Sequence, residues 1–316
     1  MMSAVVIRFA IAAILALALA LHGYSKKSLS TSGAITAFIV GFLSFAASYR
    51  FGFILILFYY TSSKLTKLKE NVKATLEENY VIGGQRGALQ VLACSIAGTL
   101  ACVLYFSRIG EDSHVDFGTS SNDVIDFIIF TLPRKKAAAY LWSMYIAHYA
   151  CAAADTWASE LGILSTSKPR LVTTLFIREV PYGTNGGMSI LGTMASMAGG
   201  AFIGIVFWAM STSINSDNLH SPKQYPMILV GLICGFLGSL IDSILGATVQ
   251  STYYSTEKKC IAKNTETSKE KLDHICGFNY LSNEGVNVVS ICLTMFLSLW
   301  LSPFVFCYCD SIQCSI

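Results

Sequence analysis

The chain has 316 residues, 53% of them hydrophobic and only 13% charged. Soluble domains carry about 25% charged residues, so a mean hydropathy of +0.56 excludes an ordinary water-solvated domain. A net charge of +3 is unremarkable, and no basic run points to nucleic acid as a partner.

A membrane span takes about 20 mostly apolar residues. The first such run is 4–21, followed at once by Lys26 and Lys27. These lysines resist translocation, which favours a retained span over a cleaved signal ending at Ala18-Leu19-Ala20. The run 33–60 is longer than one span needs and is interrupted by Ser48-Tyr49-Arg50, so it divides into two tightly connected helices. Runs 88–106, 137–164, 188–210, 226–249 and 286–306 complete the set. The expected fold is all-α, a polytopic membrane helical bundle of about eight spans. It forms a single integral-membrane domain over 1–316.

Between the spans, 122–132 is apolar but too short to cross and is expected at the interface or against the bundle. The polar region 251–280 has linker composition and reads as a flexible cytosolic loop; no strand alternation stands out. Of the ten cysteines, Cys94, Cys102, Cys151, Cys234 and Cys292 lie inside apolar runs, where cysteine acts as a small hydrophobe. Cys307, Cys309 and Cys314 crowd the C-terminal tail, where pairing is open to them.

Basic residues set the orientation. With eight spans, one face collects Lys26, Lys27, Lys64, Lys67, Lys69, Lys73, Arg86, Lys168, Arg170, Arg178 and the lysines of 258–271. The other keeps Arg8, Arg50, Arg108, Arg134, Lys135, Lys136 and Lys223. The richer face is therefore expected to be cytosolic, and the polar motifs fall on it too.

Two carboxylates stand out within the spans. Asp155 shares a helix face with Ala158, Ser159 and Gly162, and Asp242 lies in a stripe with Gly238, Gly246 and Gln250. A carboxylate at that depth costs a few kcal/mol and has to face a cavity or a partner. A divalent cation is one such partner, since hard cations take carboxylate oxygens; capping of a neighbouring helix is another. Gly183-Thr184-Asn185-Gly186-Gly187 opens the next span, as a phosphate cradle of backbone amides would, with Arg178 nearby. An ordinary glycine turn would look the same. Gly83-Gly84-Gln85-Arg86 stands before another span, with Gln90 one turn in, as a second candidate anion site. Lys64 could reach a phosphate or simply mark topology. Asn283, Asn287 and Ser290 share a face at the start of the last span and could hydrogen-bond substrate or neighbouring helices.

The segments Ala154-Asp155-Thr156-Trp157-Ala158-Ser159-Glu160-Leu161-Gly162, Gly183-Thr184-Asn185-Gly186-Gly187, Asp242-Ser243-Ile244-Leu245-Gly246 and Asn283 through Asn287 together resemble the transmembrane protein 19 family. That family of unknown-function domains includes the plant phytyl-phosphate kinase, and the likeness runs over about residues 30–306. More distantly the chain is similar to CTP-using membrane enzymes, phosphatidate cytidylyltransferase and dolichol or phytol kinase. Asp155, Ala158 and Gly162 match their first element and Gly183, Gly186 and Gly187 their glycine loop. Arg178 and Glu179 stand where cytidylyltransferases have Lys-Thr. Arg86 and Gln90 match the Arg and Gln of that span, and Cys94 replaces an Asn.

The resemblance implies phosphorylation of an isoprenyl monophosphate, phytyl- or geranylgeranyl-like, to its diphosphate by CTP or ATP. Asp155 and Asp242 would hold Mg²⁺ and carry catalysis. Arg178, Gly183, Thr184, Asn185, Gly186 and Gly187 would bind the nucleotide; Arg86, Gln90, Lys64, Asn283 and Asn287 would complete the site. Rival readings are a cytidylyltransferase making a CDP-lipid and an ion or metabolite transporter. The expected location is the endoplasmic reticulum or another endomembrane.

Overall fold

The bundle is organised around one long buried helix. The computed structural model describes residues 2–68, 70–76, 84–110, 112–118, 132–211, 223–262 and 272–314. In chain order these form α1 (Met2–Ser25), α2 (Thr31–Ala47), α3 (Tyr49–Lys67), α4 (Glu70–Lys73), α5 (Ala88–Ala93), α6 (Ile96–Arg108) and α7 (Arg134–Gly162). Then come β1 (Arg170–Leu171), a 3-10 turn (Val172–Thr174), β2 (Gly187–Met188), α8 (Ile190–Ser211) and α9 (Pro226–Val249). The chain continues through β3 (Thr252–Ser255), β4 (Cys260–Ala262) and β5 (Leu272–Cys276) to α10 (Asn283–Cys314). Among the described residues, Val5–Ser25, Ile190–Ser211, Pro226–Val249 and Asn283–Ser311 are long and apolar enough to cross a membrane. Thr31–Ala47 and Ile96–Arg108 are shorter apolar helices. The protein is a membrane helical bundle, as its composition demands.

Helix α7 is the core. Its side chains are buried almost without a break from Ala137 to Ala154, with α3, α6, α8, α9 and α10 packed around it. A helix without a polar face belongs inside, and the alanines of α7 let its neighbours come close. Phe51 stacks on Trp142 with ring centroids 3.9 Å apart, and Tyr105, Tyr145, Tyr149 and Phe207 extend the aromatic cluster. Helices α8 and α9 cross through bare backbone. A Cβ on Gly200 would lie 2.2 Å from the Gly231 carbonyl, and one on Gly204 2.4 Å from that of Met227. Lipid tails are as apolar as the helices, so small-residue contact of this kind holds them together.

The run 33–60 does divide in two. Ser48 is extended, ending α2 and starting α3; its hydroxyl accepts from the Arg50 amide and donates to Asp112. Arg50 is buried, paired with Asp112 and seated 4.3 Å above the Trp142 ring. Run 88–106 instead breaks, into α5 and α6. The Ser95 hydroxyl donates back to the Val91 carbonyl, and the Cys94 carbonyl, released from the helix ladder, meets His148 Nε2 at 2.9 Å.

The region 251–280, expected to be a flexible loop, carries a three-stranded antiparallel sheet in the order β4-β3-β5. Backbone pairing of Tyr253 and Tyr254 on both edges stabilises it; residues 263–271 and most of 122–132 lie outside the described part. Cys307 and Cys309 are free thiols.

Candidate functional site

A small-residue contact between the two acidic helices decides their register. A Cβ on Gly238 of α9 would stand 2.5 Å from Cys151 Sγ of α7. Both helices run in the same direction, from the arginine-rich end toward the lysine-rich face. Four residues on from each contact, on the same helix faces, come Asp155 and Asp242. Both carboxylates line one small space, with Cys94, Cys151, Asn287 and Ser290 around them. The Ser290 hydroxyl of α10 donates to Asp242 at 2.9 Å.

The pair lies in a cavity of about 880 Å³. Arg86, Gln90, Gly183, Thr184, Asn185, Gly186, Gly187, Asn283 and Asn287 line the same space. The broken helix matters here, because Cys94 at the break lines the cavity together with Arg86, Asp155, Asp242 and Asn287. Arg86 is positioned through its backbone: its amide donates to the Ser28 carbonyl and its own carbonyl accepts from Ser30 N, each at 3.0 Å.

The glycine loop is shaped by close approach. Gly183 and Gly186 have φ of 82° and 73°, a region that disfavours side chains. A Cβ on Gly186 would meet Ala247 at 2.4 Å and the Ser243 carbonyl at 2.5 Å, so the loop presses on α9 one turn beyond Asp242. Three of its amides serve the protein itself. Thr184 N donates to Pro181 O, Gly187 N to Thr184 O and Asn185 N to Thr252 Oγ1. A cradle built of all the loop amides is thus not formed; the buried Thr184 hydroxyl also donates to the Pro181 carbonyl, at 2.7 Å, so the Asn185 side chain and the Gly183 and Gly186 amides remain to meet an anion. Cys276 Sγ donates to the Asn185 carbonyl, and burial pushes that thiol's pKa up, which keeps the donor protonated.

Two expected residues are elsewhere. Arg178 is exposed and spends its guanidinium on the Ile275 carbonyl at 3.1 Å. Lys64 is exposed beside the Tyr60 ring. Neither lines the cavity. Conversely, Lys73 is 3% exposed and lines it. Its ammonium donates to Leu65 O at 2.7 Å, Thr66 O at 3.0 Å and the Glu160 carboxylate. Just beyond, the Leu76 carbonyl accepts from Ile261 N of β4 at 2.9 Å, so the lysine turn and the sheet meet at the rim. The sequence signal for Lys73 was weak, since lysines near span ends ordinarily mark topology.

Asp155 and Asp242 have no Lys, Arg or His partner among the described ion pairs. Two adjacent half-buried carboxylates repel each other, and a hard cation between them would relieve that. No group of three or more His, Cys, Asp and Glu occurs among the described residues. Two carboxylates facing open space are a donor set of the kind Mg²⁺ takes, with water and phosphate oxygens filling its remaining positions.

Residues 14–295 match the family described as Integral membrane protein DUF92. The chain belongs to that family. It is similar to Protein PGR of Arabidopsis thaliana, 37% identical over 304 residues that cover 95% of this chain and 98% of that protein. Protein VTE6, chloroplastic, from the same plant is 26% identical over 278 residues, covering 88% of this chain and 66% of that protein. An uncharacterized membrane protein of Methanocaldococcus jannaschii is 38% identical over 108 residues, or 34% of this chain and 40% of that protein. No solved structure matches the chain.

Proposed function

We propose that the protein is a membrane-embedded lipid-phosphate kinase, transferring the terminal phosphoryl group of CTP or ATP to an isoprenyl monophosphate. The observation that carries this reading is the meeting of Asp155 and Asp242 in one cavity with Arg86, Asn287 and the 183–187 loop. Membership in a family that extends to VTE6 agrees with it.

The acceptor is already ionised, so the reaction needs no strong general base. One oxygen of the lipid phosphate attacks the terminal phosphorus in line, the bond to the bridging oxygen breaks, and the nucleoside diphosphate leaves with that electron pair. Positioning and charge neutralisation dominate such transfers. Mg²⁺ held by Asp155 and Asp242 would neutralise the phosphate oxygens. The Arg86 guanidinium offers a fork of donors that fixes a phosphate's orientation. Asn287 presents an amide to the same space, and Ser290 holds Asp242 in place. On the arginine-rich side of the acidic pair, Tyr149, Tyr145, Trp142 and Phe51 are completely buried and fill the bundle. That packing opposes a transport path through the protein. An endomembrane location, with the site facing the cytosol where nucleotide is plentiful, completes the proposal.

The test is transfer from labelled CTP or ATP to geranylgeranyl or phytyl monophosphate by purified protein with Mg²⁺. A lipid diphosphate is expected. A CDP-lipid with released pyrophosphate, or no product from any nucleotide, would reject the kinase reading.

A further inference from the structure

The cavity that holds the acidic pair has a second, apolar arm. It leaves the polar chamber past Leu29 and Tyr59 and descends between α1, α2 and α3, lined by Ala16, Ala20, Ala37, Gly41 and Ile56. Its deepest lining residue along α2 is Phe45. Fourteen residues separate Phe45 from the start of α2 at Thr31, a descent of roughly 21 Å at 1.5 Å per residue. Among its lining residues on α1, α2 and α3 above Thr66, no side chain is charged; the Tyr59 hydroxyl is the polar exception and is tied to Ser28.

The floor is rigid. Phe45 is wholly buried, its ring is backed by Phe53 at 5.8 Å, and a Cβ on Gly52 would stand 2.2 Å from it. The wall opposite is tight. A Cβ on Gly41 would lie 3.3 Å from that of Ala16, so α1 closes the arm with alanines against a glycine. The outer wall is anchored on one side, since α1 packs on α2 and far less on any other element described. Parting that seam would admit a chain sideways from the bilayer.

An apolar cavity of this kind rejects water and accepts hydrocarbon. Joined to a chamber with two carboxylates and an arginine, it suits an amphiphile with a phosphate head and one tail. We propose that the arm holds the single hydrocarbon chain of the lipid monophosphate, with Gly41 and Phe45 limiting the tail length accepted. This rests on the kinase reading for the identity of the headgroup alone. It selects isoprenyl-type monophosphates over phosphatidate, whose two chains would compete for one arm.

The test is photolabelling without nucleotide, using full-length protein and farnesyl monophosphate carrying a diazirine at the tail tip. Label is expected on α1, α2 and α3 around Ala16, Gly41 and Phe45. Geranylgeranyl monophosphate should compete, and phosphatidate should compete at least tenfold less well. Gly41→Leu, and independently Ala37→Leu should one variant fail to fold, should cut labelling at the floor at least tenfold. Both should still bind geranyl monophosphate. Label confined to the outer faces of α8 and α9, labelling unchanged in both folded variants, or equal competition by phosphatidate would overturn the assignment. The readout needs no turnover. A protein that labels here without phosphorylating anything would lose the kinase reading and keep the arm, and turnover with tail label elsewhere would do the reverse.

Discussion

Gly238 presses bare backbone against Cys151, and a side chain there would begin 2.5 Å from the sulfur. That contact fixes how α7 and α9 slide past each other, and so whether Asp155 and Asp242 meet. Gly238→Val should push the helices apart at a cost of about 1–3 kcal/mol, the usual range for overpacking, and lose turnover. Adding Cys151→Gly should restore part of both, read as thermal stability and activity of the purified double variant. Additive losses would mean that the contact does not set the register.

Lys73 and Glu160 join the turn after α3 to the end of α7. Removing one member of a buried pair leaves the other charge uncompensated, which costs about 3–5 kcal/mol. Glu160 is partly accessible, its side chain 19% exposed, so Lys73→Met should destabilise by about the lower figure. Glu160→Gln keeps a hydrogen-bond acceptor and should cost less. Equal thermal stability of Lys73→Met and the parent would show that the pair is not formed in the membrane.

Arginines distinguish the chamber from its surroundings. Arg86→Ala should lower kcat/KM at least tenfold, about 1.4 kcal/mol of lost transition-state binding. Arg178→Ala and Lys64→Ala should stay within about twofold of the parent, since neither side chain lines the cavity. Steady-state kinetics on the three variants would expose the reverse order.

Cys276 offers a pH readout outside the spans. Burial holds its thiol pKa above the ordinary value, so its thiolate fraction at a given pH is smaller than that of a free cysteine. Alkylation followed by mass spectrometry should reach half its maximal rate at a higher pH for Cys276 than for a cysteine peptide. Unfolding should erase the difference.

Much of the bundle was legible in the sequence because lipid imposes a simple rule: long apolar runs become helices. The division near Ser48 was visible since Ser48-Tyr49-Arg50 interrupts an apolar run that is too long. The acidic pair was visible because a carboxylate at that depth demands a partner. The break at Cys94 was not, since neither Gly nor Pro marks it; it depends on Ser95 bonding backward and on His148, 54 residues away, receiving the freed carbonyl. The sheet at 252–276 was missed because its strands are short and half polar. Its order comes from pairing across a turn and from contact with the 183–187 loop, and neither is local. Arg178 and Lys64 were misplaced for a related reason: closeness to a motif in sequence does not say where a long side chain turns.

The most direct measurement is Mg²⁺-dependent phosphoryl transfer to an isoprenyl monophosphate by the parent, Asp155→Asn and Asp242→Asn proteins, each checked for a folded, monodisperse state. Either substitution alone should lower turnover by roughly a hundredfold or more, at the upper end of what disturbed metal sites lose, and raise the Mg²⁺ concentration needed for what remains. Parent-like turnover and Mg²⁺ dependence in either folded variant would contradict a shared site.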